Sequence, residues 1–166
     1  MYIEDDFSAD SILLVFGANI KKARERKSLT KKALANQAKY DRGSLRKLEK
    51  GEMNIELVTA VKLAKTLDVS FPALFSRNFM ENVPDSEIDF SGKYQDDDYL
   101  LVFREKFMKQ LQRYTMHQVS VTDISELNEQ MVSRLVNGAI KNPTLKTLYA
   151  LAYAVNTEMY ILFSRT

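Results

Sequence analysis

The chain contains no cysteine, so neither a disulfide framework nor a thiolate metal site can be built from it, in keeping with a reducing cytoplasm. Histidine occurs once, as His117. That excludes a cluster of imidazole ligands and leaves the ring a capping or flanking role beside a helix rather than proton transfer. Glycine is scarce, five in 166 residues, and none belongs to a phosphate-cradling loop. No nucleophile stands with a base. No apolar run approaches the roughly 18 residues of a membrane span, and a start carrying Glu4, Asp5, Asp6 and Asp10 is unlike a signal peptide. Strand-like alternation of useful length is also missing. The expectation is a soluble, cytoplasmic, all-α chain without catalytic residues, metal, cofactor, membrane contact or small-molecule ligand.

What is present is a repeat. Residues 13–77 and 100–165 both open Leu-Leu-Val-Phe, at Leu13 to Phe16 and Leu100 to Phe103, and both close Leu-Phe-Ser-Arg, at Leu74 to Arg77 and Leu162 to Arg165. An offset of 87 aligns the first parts and one extra residue after Gly138 makes it 88 for the rest, giving 17 identities in 65 positions. The formal net charge of +2 conceals an asymmetry between the copies. Residues 17–51 hold twelve Lys or Arg against three acids, whereas 104–138 hold five against four. Residues 78–99 carry seven acids and only Lys93 in return. With Pro84 and Gly92 and little periodicity, this stretch reads as a linker, although Phe79, Val83, Ile88, Phe90 and Tyr94 could dock on a neighbouring surface. The expected division is an N-terminal unit 1–77, an acidic linker 78–97 and a second unit 98–166, each unit large enough for a modest core.

Helical spacing dominates both copies. Ile12, Leu13, Phe16, Ile20 and Ala23 recur at three- and four-residue steps behind Asp10 and Ser11, predicting a helix over 11–27. Thr30 is placed to cap a second helix with Ala33, Leu34 and Ala38 inward, and Asp41 a third with Leu45 and Leu48 inward. Gly51 ends the third, because a helix commonly stops where a left-handed residue is needed. A fourth is predicted over 56–67, and a last from Ser70 with Pro72 in its first turn. The second copy repeats the plan with Asp98 and Asn128 before helices, Gly138 after one, and Asn142-Pro143 opening the fourth with Pro143 at its first position. Tyr149, Tyr153 and Tyr160 read as core or partner surface. Asp96, Asp97 and Asp98 read as a solvated capping stretch.

The run Leu29-Thr30-Lys31-Lys32-Ala33-Leu34-Ala35, continued by Asp41-Arg42-Gly43-Ser44-Leu45-Arg46-Lys47-Leu48-Glu49-Lys50-Gly51, resembles the helix-turn-helix of the lambda-repressor-like, or XRE, family of DNA-binding proteins. The likeness extends to Leu63-Ala64, Leu67 and Val69. It departs at Lys39, where the family usually has glycine in the turn, and at Lys31, where it favours glutamine. The resemblance implies a fold of two tandem five-helix domains of this type. It would seat the helix beginning at Arg42 in the major groove of double-stranded DNA. Arg42, Gly43, Arg46 and Lys47 would then face base edges, the arginines bridging guanine O6 and N7. Lys31, Lys32, Ser44 and Lys50 would meet phosphates. Lys21, Lys22, Arg24, Arg26 and Lys27 read as a solvated face.

The second copy resembles the family in its scaffold, through Leu135, Gly138, Pro143, Leu145, Leu148, Leu151 and Ala152, but its reading positions have become Glu129, Gln130, Ser133 and Arg134. Glu129 stands where Arg42 stands, Val136 replaces Glu49, and Gln118 stands where Lys31 stands. Gln118, Glu129, Gln130 and Arg134 are the candidate contacts of this copy. Weak binding, reading of a different half-site, or service as an interaction surface all remain open. The resemblance thus implies a sequence-specific double-stranded DNA-binding transcriptional regulator, a repressor by expectation, with the first copy dominating affinity. The second would add dimerisation or a weaker contact, and homodimerisation of the chain stays open. The competing expectation is an antitoxin-like interaction module that neutralises a partner protein.

Overall fold

A computed structural model describes residues 10–79, 99–113 and 129–164, with the side chains of Glu129 and Met131 also left aside. In chain order the elements are α1 (Asp10–Arg26), α2 (Lys31–Ala38), α3 (Arg42–Glu49), α4 (Leu57–Leu67), a 3-10 turn (Pro72–Phe75), α5 (Tyr99–Arg113), α6 (Glu129–Val136), α7 (Leu145–Ala154) and α8 (Met159–Phe163). Among the described residues there is no strand. The linker expected over 78–97, apart from Asn78 and Phe79, lies outside them, as do Asp98, His117, Gln118 and Asn128.

The local chemistry of the first half sets its boundaries. Thr30 accepts from the Ala33 amide at 3.0 Å and opens α2. Asp41 accepts from the Ser44 amide at 2.7 Å and opens α3. Gly51, at φ +76°, follows the end of α3, a conformation for which glycine bears no Cβ penalty. Two expectations need correcting. The segment after Ser70 forms only the four-residue 3-10 turn Pro72–Phe75. Pro143 does not open α7: Thr144 is the N-cap, accepting from the Thr147 amide at 3.4 Å, and Leu145 is the first helical residue. Pro143 is held just outside because its carbonyl is used elsewhere, as an acceptor for the first half of the chain.

That acceptor belongs to a reciprocal junction. Glu56 and Thr144 form an isolated antiparallel bridge, in which Leu57 N–H donates to Pro143 O at 2.8 Å and Leu145 N–H donates to Ile55 O at 2.9 Å. Val58 N–H donates to Asn142 Oδ1 at 3.0 Å, and Lys146 N–H to Asn54 Oδ1 at 3.2 Å. Under the 88-residue offset each bond maps onto its mate, so the contact has the form of an isologous, two-fold interface. The aromatic core follows the same exchange. Phe16 and Phe75 lie 5.3 Å apart, Phe75 and Phe163 5.3 Å, and Phe163 and Phe103 5.1 Å. Phe71 and Tyr99 close the same cluster at 4.8 Å. Each such pair adds about 0.5–1.5 kcal/mol beyond area burial. Buried residues from both halves, Phe79 among them, form one connected core.

Backbone conformation also repeats: Gly51 and Gly138 both have positive φ, as do Asp68 and Asn156, which follow α4 and α7. Tyr149 is half-buried, and its hydroxyl accepts from Ser11 at 3.2 Å, so the surface it meets is the first half of the chain. Asp10 and Lys146 add an ion pair at 3.0 Å across the same boundary.

Candidate nucleic-acid interface

Helix α3 owes its orientation to a buried face made of Leu45, Leu48 and Glu49. Gly17 of α1 lets the two helices approach closely, since a Cβ there would collide with the Leu48 carbonyl. Glu49 is tied down by Arg24 of α1, whose Nε donates to Oε1 at 2.6 Å and whose Nη2 donates to Oε2 at 3.2 Å. The remaining Arg24 nitrogen, Nη1, donates to the Leu29 carbonyl at 2.7 Å, joining the loop before α2 to the same anchor. Arg24 is 8% exposed. Its assignment to a solvated cationic face is therefore wrong: a guanidinium beside a buried carboxylate satisfies both charges at lower cost than leaving the carboxylate alone.

Opposite that face, Arg42, Gly43, Arg46, Lys47 and Lys50 are exposed. Arg42, Arg46 and Lys50 stand at four-residue intervals, as do Gly43 and Lys47, so they form two adjoining rows on one side. Each four-residue step advances about 6 Å along a helix, close to two base steps of about 3.4 Å. Like charges so spaced repel by roughly 0.2–0.5 kcal/mol per pair. Among the described residues no carboxylate lies within ion-pair distance of Arg42, Arg46, Lys47 or Lys50. The nearest acid in sequence, Asp41, is engaged as the cap of α3. The backbone and hydroxyl of Ser44 hold its carboxyl below the usual carboxylate range, with Lys47 contributing less. Burial, with Asp41 adding to it, pushes the Tyr40 phenol up.

Of the expected phosphate residues, Lys32 is exposed at the start of α2 and Lys50 at the end of α3. Lys31 is half-exposed with Nζ 4.0 Å from Glu49 Oε2. Ser44 is half-buried, and its amide is already used by Asp41. The turn between α2 and α3 places Lys39 in the left-handed region, φ 51° and ψ 48°, with its amide donating to the Asn36 carbonyl at 3.3 Å. The turn therefore forms without the family's usual glycine.

The second half differs at the corresponding places. On α6, Gln130 and Arg134 are exposed and Ser133 is half-buried. Arg134 is the one cation of that helix. Gln118 and the Glu129 side chain lie outside the described residues. The positions equivalent to Arg24 and Glu49 are Leu111 and Val136, both partly buried against the core. Arg104 stands where Gly17 stands, and its guanidinium packs where a Cβ on Gly138 would fall. The ion pair and the close approach that fix α3 are thus absent together from the second half. Sequence reasoning missed the Arg24–Glu49 pair, yet its concerted replacement by Leu111 and Val136 was readable from the repeat. The identity of Asn54 with Asn142 was equally a signal for the reciprocal junction.

Among the described residues no helix is long and apolar enough to cross a membrane, and no group of three metal-ligating side chains occurs. Residues 20–74, about a third of the chain, match the model of a helix-turn-helix family. The matched segment spans α2, the turn at Lys39 and α3, with α4 after them. No curated protein matches the chain.

Proposed function

We propose that this chain, built around a helix-turn-helix domain, is a sequence-specific double-stranded DNA-binding transcriptional regulator that acts as a repressor. The observation that carries the reading is the outward row on α3. Four exposed cations, with no carboxylate at ion-pair distance among the described residues, line the outer side of a helix whose other face is locked to α1, and a polyanion is the ligand that relieves their repulsion. Arg42 and Arg46 read guanine edges, Gly43 lets the helix approach, and Lys47 completes the base-facing side. Lys31, Lys32, Ser44 and Lys50 serve the phosphates, Lys31 after swinging away from Glu49. A DNA-bound chain excludes other occupants of its site, which is the simplest route to repression.

Residues 98–166 form a second, degenerate unit in this reading, joined to 1–77 through the acidic segment 78–97. The coincidence of left-handed positions and the reciprocal hydrogen bonds support it. Gln118, Glu129, Gln130 and Arg134 would make the weaker contact of that unit. Selection of bound sequences from a random duplex pool, followed by footprinting, tests the proposal. One enriched, guanine-containing half-site is expected under α3, with protection extending beyond it on the side of α6. A pool that gains no sequence preference would refute base reading. Unchanged affinity and footprint length on Glu129→Lys would remove α6 from the groove.

A further inference from the structure

The junction between the halves has a geometry that two separate copies of one segment would share. Its hydrogen bonds join Leu57 to Pro143, Leu145 to Ile55, Val58 to Asn142 and Lys146 to Asn54, each the image of another under the offset of 88 residues. The bonds satisfy the first amides of α4 and α7, which no partner inside their own helix can satisfy. Glu56, the N-cap of α4, makes no side-chain cap bond of its own, so Asn142 caps α4 from the other half of the chain. Asn142 is itself fixed by donating from Nδ2 to Glu56 Oε2 at 2.7 Å. Phe75 and Phe163, equivalent residues, meet face to face at 5.3 Å and 24°. Both are buried and both pack against Phe71, and Met159, the residue equivalent to Phe71, is buried too.

We propose that residues 142–145 and 159–163 are a built-in partner, occupying within one chain the face through which 54–57 and 71–75 would otherwise pair with a second copy. A two-fold interface closes on itself. With its amides and aromatic rings already matched, this face has nothing left to offer another molecule. The protein is accordingly a self-contained monomer that brings α3 and α6 to DNA together, one chain per duplex. The stoichiometry on DNA rests on the function proposed above, whereas the pairing itself does not.

The absence of native cysteine makes a direct test available. Glu56 and Thr144 face each other as a non-hydrogen-bonded antiparallel pair, for which Cα atoms lie about 4.5 Å apart, inside the span of about 4.4–6.8 Å that a disulfide bridges. The full-length E56C/T144C variant, oxidised at micromolar concentration and run on a non-reducing gel, should give an intrachain disulfide. The expected band is a compact species of monomer mass that slows on reduction. Disulfide-linked dimers, or no disulfide at all, would overturn the proposal. Sedimentation equilibrium of the unmodified chain should give a single species of 19.1 kDa, and with a duplex recovered by selection one chain per duplex. A species of twice that mass, free or on DNA, contradicts the closed interface. Failure of any duplex to bind would count against the DNA reading alone, because the cross-link decides the pairing without DNA.

Discussion

The pair Arg24–Glu49 offers a quantitative test of how α3 is held, because the second half of the chain already contains its apolar replacement. Glu49→Val leaves the Arg24 guanidinium buried, with its bond to the Leu29 carbonyl and, among the described carboxylates, Glu25 Oε1 at 3.9 Å on a side chain that is 56% exposed. Arg24→Leu leaves the Glu49 carboxylate with Lys31 at 4.0 Å as its closest cation. Breaking a buried pair by removing one partner costs about 3–5 kcal/mol, while replacing both by packed apolar groups is often neutral or stabilising. Lys31 can move in, so Arg24→Leu should fall near the lower end of that range. The double variant R24L/E49V reproduces Leu111–Val136 and loses chiefly the bond to the Leu29 carbonyl, about 1 kcal/mol. It should therefore be more stable than either single variant, with a coupling energy of about 5 kcal/mol in the cycle, above the roughly 0.5–3 kcal/mol usual for residues in contact. Urea unfolding followed by circular dichroism measures all four proteins, provided the slopes agree. If the two single losses simply add in the double variant, the pair is not the coupled anchor of α3.

Two further outcomes follow from the turn and the cap beside it. Lys39→Gly should stabilise the protein by roughly 0.5–1 kcal/mol, since the left-handed conformation costs a side-chain-bearing residue about 1–2 kcal/mol and glycine returns about half of that as unfolded-state freedom. An unchanged or lower melting temperature would mean the turn is not strained. Asp41→Ala should lower the melting temperature at neutral pH by removing the cap of α3. The folded carboxyl titrates below its unfolded counterpart, so its contribution is present above the unfolded value and disappears as pH falls through the folded one. The gap between wild type and variant should thus close in acid and persist through neutral pH, and a gap independent of pH would place the effect elsewhere.

Much of the first half was legible because its signals are local. Thr30 and Asp41 cap from three residues away, Gly51 marks its own stop, and the inward faces of α1 to α4 follow from helical spacing. The exposure of Arg42, Arg46 and Lys47 follows in turn from burial of Leu45 and Leu48 on the same short helix. What escaped depends on long-range partners. One arginine among the four cations of α1 gives no sign that Glu49, 25 residues later, will draw it inward. Pro143 satisfies the local preference for a first helical position, but the carbonyl it lends to Leu57 holds it in extended chain and passes the cap to Thr144. The predicted last helix of the first half shrank to Pro72–Phe75, because Phe71 and Phe75 pack into a core shared with Phe163.

The row on α3 is proposed to face DNA. Fluorescence anisotropy with a duplex carrying the selected site and one with that site scrambled, across a salt series, measures it most directly for wild type, Arg42→Ala and Arg46→Ala. Wild-type affinity should fall steeply and linearly on logarithmic axes with salt. Each arginine variant should lose about 1–3 kcal/mol on the selected site and much less on the scrambled one. Binding that ignores salt, or equal losses on both duplexes, would contradict base reading from this helix.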